Sequence, residues 1–237
     1  MNVAVILAGG TGARVGADIP KQFIQVMGKP IISYTMEKYQ ENENIDAIAV
    51  VCHKDWIEQT KDIIEKYNIS KMKWIIEGGV TFQESTLNGI FYLKDKLSAD
   101  DIVLLPWAVS PMVTDEIINN AIAVCKEYGN AVPADEMIMC TCIKDDEKSS
   151  QTSILRENIV GLNGPWAFKY GEVKEAYEVA LAKGILDTLE PHTTSLYFAL
   201  GKRIYFSKSA TSNIKITRQE DIDLFEGYLL LQEKRKG

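Results

Sequence analysis

An unbroken apolar run at residues 3–7 is followed at once by Gly9, Gly10 and Gly12, and no other junction constrains the fold of this chain as much. A continuous apolar run predicts a strand buried on both faces, the kind found in parallel sheets covered by helices. Glycines at such a strand's end let backbone N–H groups converge on an anion, because no Cβ blocks the approach. Loops at the carboxyl ends of parallel strands are where α/β proteins hold ligands. Arg14 and Lys21 follow within a short distance and bring positive charge to the same place. A bare glycine turn is the plain alternative, but the strand before it and the two cations after it favour phosphate binding.

The rest of the chain alternates strand and helix patterns. Strands are expected at residues 45–52, 72–76 and 102–105, and helices at 31–39, 56–67, 85–96 and 117–128. Thr114 can cap the last of these, with Asp115 and Glu116 at its positive end. This order implies an α/β fold: a Rossmann-like, mostly parallel sheet with helices on both faces. Beyond residue 130 the pattern loosens. Residues 130–143 read as extended, residues 145–163 as polar and weakly patterned, and residues 144–147 as a turn. A helix is expected at 172–183, short strands at 203–206 and 214–216, and a terminal helix at 219–233. One domain over residues 1–237, with an inserted arm near 135–165, is the simplest division.

Composition narrows the function. The formal net charge is −7 and the pI about 5.0, which argues against nucleic acid as the main partner, since phosphate backbones recruit basic surfaces. A single nucleotide needs only a local cluster of cations. No apolar run approaches the ~20 residues that span a bilayer, and residues 1–8 lack the basic start of a signal peptide. Cys140 and Cys142 read as two side chains on one face of a strand, and with two histidines in the chain a zinc enzyme is not expected. A cytoplasmic location is expected.

Two other glycine loops fail on spacing. A Walker A loop needs G-x-x-x-x-G-K-[ST], which is absent, and the dinucleotide fingerprint G-x-G-x-x-G would place its third glycine where Val15 stands.

The residues Leu7-Ala8-Gly9-Gly10-Thr11-Gly12-Ala13-Arg14, then Pro20-Lys21-Gln22-Phe23 and Gly28-Lys29-Pro30-Ile31, resemble the start of the cytidylyltransferases that act on sugar-alcohol phosphates, the methylerythritol 4-phosphate and ribitol 5-phosphate enzymes. Gly78-Gly79 with Gln83, Glu84, Ser85 and Asn88-Gly89 resembles that family's second nucleotide segment. Asn213-Ile214-Lys215-Ile216-Thr217, with Glu220-Asp221, resembles its C-terminal motif. The resemblance implies a Rossmann-like domain whose protruding arm makes a homodimer. It implies attack of a phosphate monoester on the α-phosphorus of CTP, with release of pyrophosphate. Arg14 and Lys21 would then hold the triphosphate, and Lys215 would neutralise the α-phosphate. Backbone from Leu7 through Ala8, Gly9, Gly10, Thr11 and Gly12, with Gly78 and Ser85, would hold the nucleotide. Arg156, in the arm, and Thr193 would meet the phosphorylated polyol. Mg²⁺ would be held by the triphosphate, with no protein residue assigned to it.

The departures from the family fall at functional places. Where the family reads His-Asp-Ala-Ala/Val-Arg-Pro, this chain reads Pro106-Trp107-Ala108-Val109-Ser110-Pro111. Trp107 thus stands for a magnesium-binding aspartate and Ser110 for an arginine that meets the acceptor. Asn163-Gly164-Pro165-Trp166 replaces Gln-Thr-Pro-Gln, Thr193-Thr194-Ser195 replaces an acidic Asp-Asp-Ala-Ser segment, and Phe82 replaces an arginine. A tryptophan cannot ligate Mg²⁺. Two readings follow: an enzyme for a different acceptor, or a nucleotide-binding homologue whose catalysis has decayed. A nucleotidyltransferase with another base is a third. Trp107 and Trp166 either line the site together or fill core. His192 is a candidate substrate contact, while His53 and the Asp100-Asp101 pair read as solvated.

Overall fold

The computed structural model describes residues 1–10 and 19–236. Thr11, Gly12 and Arg14 therefore lie outside the described residues.

The first half of the chain comprises β1 (Asn2–Ala8), a hairpin of β2 (Gln25–Val26) and β3 (Lys29–Pro30), α1 (Ile31–Glu41), β4 (Ala47–Cys52), α2 (Ile57–Lys66), β5 (Met72–Glu77), α3 (Phe82–Tyr92), β6 (Ile102–Leu105) and α4 (Asp115–Tyr128). The second half comprises β7 (Asn130–Glu136), β8 (Thr141–Ile143), β9 (Thr152–Ile154), β10 (Val160–Leu162), β11 (Trp166–Lys169), α5 (Tyr170–Lys183), α6 (Thr193–Ala199), β12 (Phe206–Ser207) and α7 (Gln219–Lys236). The main sheet runs β10-β7-β11-β6-β1-β4-β5, with β12 added beside β7. β5, β4, β1 and β6 are mutually parallel, and β11 lies antiparallel between β6 and β7.

Alternation along β1 explains why both faces are covered. Val3, Val5 and Leu7 point into one core, with residues of α3, α5, α6 and α7. Ala4, Ile6 and Ala8 point into the other, with α1, α2 and α4. Side chains successive along a strand leave on opposite faces, so an uninterrupted apolar run is what a two-sided core requires. Truncating one such side chain costs about 2–5 kcal/mol.

Local signals set the helix ends. The Thr81 hydroxyl accepts from Glu84 N at 3.0 Å and the Glu84 carboxylate accepts from Thr81 N at 3.2 Å, a reciprocal cap that starts α3. The Thr114 hydroxyl accepts from Ile117 N and caps α4 as expected. Gly129, at φ +89°, ends that helix in the left-handed region a β-carbon disfavours.

Three local expectations need correction. Residues 214–216 form no strand: Lys215 leaves toward a cavity, and the Ile216 N–H is used by Val109 O. The strand expected at 203–206 is only Phe206–Ser207. β11 and α6 carried no separate expectation, being short. The polar stretch 145–163 contains β9 and β10, whose partners are β8 and β7.

The expected turn after Lys144 is present, with Asp146 accepting from Lys148 N and Ser149 N. β8 and β9 pair with each other in a small sheet of their own before β10 returns to β7. No helix of the described residues is long and apolar enough to cross a membrane.

Candidate active site

From β1 the chain steps outward to β4 and β5, then returns to the opposite side of β1 with β6. The order of strands reverses there, and such a switch point leaves a crevice at the strands' carboxyl ends. The segment after β6 stays beside β1 as both leave the sheet. Leu7 N donates to Pro106 O at 2.9 Å and Ala108 N to Leu7 O at 3.0 Å, so Leu7 and Trp107 form a parallel bridge. A cavity of about 380 Å³ opens above it, lined by Leu7, Ala8 and Gly10 from the first loop, with Lys21, Trp107, His192 and Lys215.

Two side chains brace the glycine loop. Buried Gln22 donates its amide to Ala8 O at 2.6 Å and to Gly10 O at 3.1 Å. Buried Ser85 stands at the start of α3, where its hydroxyl accepts from Gly79 N at 3.1 Å. A β-carbon on Gly9 would lie 2.7 Å from that hydroxyl oxygen, and one on Gly78 would lie 2.9 Å from it. Ser85 is thus wedged between the loop after β1 and the loop after β5, and glycine is needed on both sides.

The cations come from opposite ends of the chain. Lys21 opens a short 3-10 turn, Lys21–Phe23. Lys215 is carried by the segment before α7, which is tied down at each side. Asn213 donates to Gly164 O at 2.8 Å, Asn163 donates to Asn213 O at 2.8 Å, and Ile216 N donates to Val109 O at 2.9 Å. Neither ammonium is without partners. One partner of Lys215 is the indole of Trp107, whose ring centroid lies 4.1 Å from Nζ; Phe82 lies 5.9 Å away. A desolvated contact of this kind contributes about 2 kcal/mol.

Trp107 and Trp166 meet edge to face at 5.4 Å and 80°. They are only 7 % and 3 % exposed, and Trp107 lines the cavity while Trp166 backs it. His192 continues the cluster, 5.4 Å from Trp166 and 5.8 Å from Phe82. Burial lowers the His192 pKa below the ordinary 6.5; Glu190 pulls it up and Lys215 pushes it down. Burial thus favours the neutral imidazole.

The structure brings Leu7, Ala8, Gly9, Gly10, Lys21, Gly78, Ser85 and Lys215 into one neighbourhood. It does not bring Arg156 or Thr193 into the cavity lining. Arg156 lies in the arm and donates to Ile138 O at 3.1 Å, beside a separate cleft. Thr193 is buried, its hydroxyl 3.0 Å from Tyr177 OH. Ser110 is buried as well. Asp100 is exposed and faces Lys169, and His53 caps a surface turn, so neither belongs to the site. Gln22 and Glu190 were not singled out from sequence, and the Pro20-Lys21-Gln22-Phe23 motif was the available signal for the first.

The family's divalent metal finds a poor donor set here. Among the described lining residues Glu190 is the one carboxylate, with a 71 % exposed side chain 3.6 Å from His192. No group of three or more His, Cys, Asp or Glu side chains among the described residues is arranged to hold a metal. Mg²⁺ takes oxygen ligands in near-octahedral geometry, and an indole offers none. The described residues do not fit a protein-held Mg²⁺.

Residues 2–230 match the family described as IspD, 2-C-methyl-D-erythritol 4-phosphate cytidylyltransferase. The chain is 37 % identical to a ribitol-5-phosphate cytidylyltransferase of Lacticaseibacillus paracasei, over 98 % of this chain and 100 % of that one. It is 34 % identical to a 2-C-methyl-D-erythritol 4-phosphate cytidylyltransferase of Clostridium novyi, over 96 % of each. The crystal structure of 4-diphosphocytidyl-2C-methyl-D-erythritol synthase from Anaerococcus prevotii superposes with a TM-score of 0.81 at 25 % identity, covering 97 % of this chain and 96 % of that one. With a family match across nearly the whole sequence, this chain belongs to the 2-C-methyl-D-erythritol 4-phosphate cytidylyltransferase family.

Proposed function

We propose that this chain is a cytidylyltransferase that moves CMP from CTP to a small phosphorylated polyol of the ribitol 5-phosphate or methylerythritol 4-phosphate kind. An oxygen of the acceptor's phosphate attacks the α-phosphorus, the bond from that phosphorus to the β-phosphate bridge breaks, and pyrophosphate leaves. One observation carries the reading: Lys21 and Lys215 converge with Ala8 and Gly10 in a cavity at the sheet's switch point. In-line displacement at phosphorus needs alignment and positive charge more than covalent help. Lys21, with Arg14, holds the triphosphate, and Lys215 neutralises the α-phosphate. Ser85 and Gly78 shape the wall for the nucleoside. Any Mg²⁺ enters as part of the substrate, on the triphosphate.

Trp107 and Ser110 favour a second reading, a homologue that binds nucleotide without turnover, because by the resemblance they stand where the family carries a carboxylate and an arginine. Pyrophosphate release over a panel of nucleotides and polyol phosphates separates the two: turnover with one pair supports the enzyme, and none with any pair supports the binding module.

The working unit is a homodimer in the cytoplasm. The arm supports the dimer, since Ile138 and Leu155 are 73 % and 70 % exposed there. The four thiols are free, which suits a reducing compartment. Arg156 then serves an acceptor from the arm rather than from the cavity of its own chain.

A further inference from the structure

We propose that Trp107 is a positioning residue for Lys215: its indole face holds the ammonium at the phosphate end of the cavity. The proposal deepens the function assigned above and rests on it for the identity of the nucleotide.

Both sides of the contact are fixed. Trp107 is locked to β1 by its bridge with Leu7, and its carbonyl accepts from Ser110 N at 3.2 Å. Its ring meets Trp166 edge to face, and Gly164 packs so closely that a β-carbon there would sit 3.1 Å from Cζ3. Lys215 is fixed by the Asn213 and Ile216 hydrogen bonds on either side, and its carbonyl accepts from the Thr217 hydroxyl at 2.9 Å. The ammonium is left 4.1 Å from the Trp107 ring centre, with Phe82 as a more distant second ring.

An indole attracts an ammonium through its electron-rich face but gives a hard divalent ion no ligand. The ring at this one position therefore seats a lysine and gives a metal no anchor. Nucleotide affinity becomes a property of the lysines and the glycine loop, and it does not depend on a metal held by the protein.

The test has a ligand-free arm and a nucleotide arm. In the free protein, isotope-labelled reductive methylation preserves lysine charge, and the dimethyl-Lys215 resonance, assigned with Lys215→Arg, is expected upfield from the indole ring current. It returns to the bulk in Trp107→Leu. A bulk position in the unaltered protein, or an upfield shift that survives Trp107→Leu, overturns the seat.

For the metal, calorimetry of Mg²⁺ alone into the nucleotide-free protein should show no saturable binding. Saturable Mg²⁺ binding to the nucleotide-free protein overturns the metal-independent half; the Trp107 variants are compared by CTP titration. Trp107→Phe, which keeps a ring, should stay within about threefold of the unaltered protein, and Trp107→Leu should lose about tenfold, thermal unfolding serving as the check on folding. Equal affinities in Phe and Leu variants that remain folded overturn the positioning role. A ring-shifted Lys215 in a protein that binds no nucleotide supports the seat and overturns the function assigned above.

Discussion

The Asn213 side-chain amide donates to the carbonyl of Gly164 at 2.8 Å, joining the segment before α7 to the turn before β11 across 49 residues of sequence. Asn163 returns the contact by donating to the Asn213 carbonyl. Asn213 is buried, so this clasp is what delivers Lys215 to the cavity. Asn213→Ala should cost about 1–3 kcal/mol, the penalty of leaving a buried carbonyl unpaired. Thermal unfolding measures the stability, and a CTP titration should show weaker binding in the same variant. A variant with unchanged stability and affinity contradicts the clasp.

Lys21 and Lys215 supply charge that the glycine loop's N–H groups lack. Replacing either with Ala should weaken CTP binding about tenfold or more, on the order of 1.4 kcal/mol. The same loss is expected for Arg14→Ala. Calorimetry decides it, and unchanged affinity in these variants refutes the phosphate assignment.

Gly9 faces the Ser85 hydroxyl with no room for a methyl group. Gly9→Ala should therefore displace the loop and reduce CTP affinity. Adding Ser85→Ala removes the oxygen 2.7 Å from the new carbon, leaving the Ser85 Cβ position at 3.4 Å. The double variant should recover part of the loss, since residues in contact are not additive. A double variant as weak as the sum of the two singles shows that the wedge is not the cause.

The glycine loop and Lys21 were legible in sequence because their spacing is local: a buried strand, glycines, then a cation. So were the two-faced β1 and the cap at Thr114. Lys215 came only from the resemblance of its motif. Residues 214–216 misled, since Ile-Lys-Ile alternates like a strand. Ile216 is buried and gives its N–H to Val109, while Lys215 serves the cavity, so the alternation records core on one side and ligand on the other. β11 was hidden by its four-residue length and by Gly164-Pro165 just before it. Ser85's wedge depends on two glycines from separate loops, and Trp107's contact with Lys215 spans nearly half of the chain. No periodicity encodes either.

His192 gives the fold a pH dependence. Its folded pKa lies below the ordinary 6.5, so the unfolded chain binds the proton more readily. Stability should therefore fall as pH drops from about 6.5 through the folded-state pKa, and should be insensitive to this group above that window. His192→Gln should flatten that slope in denaturant titrations between about pH 5 and 7.5. An identical slope in both proteins contradicts the assignment.

The arm's exposed Ile138 and Leu155 should be covered in solution. Sedimentation should give about twice the 26.5 kDa chain mass, and Leu155→Asp should shift it toward the monomer. A monomer at high micromolar concentration sinks the dimer.

The central claim is transfer of a cytidylyl group, and phosphorus NMR of the protein with CTP and each phosphorylated polyol observes it directly. The account predicts pyrophosphate and a cytidine diphosphate-linked polyol appearing in equal amounts with at least one acceptor. CTP that stays intact with every acceptor, in a protein shown to bind it, contradicts the account.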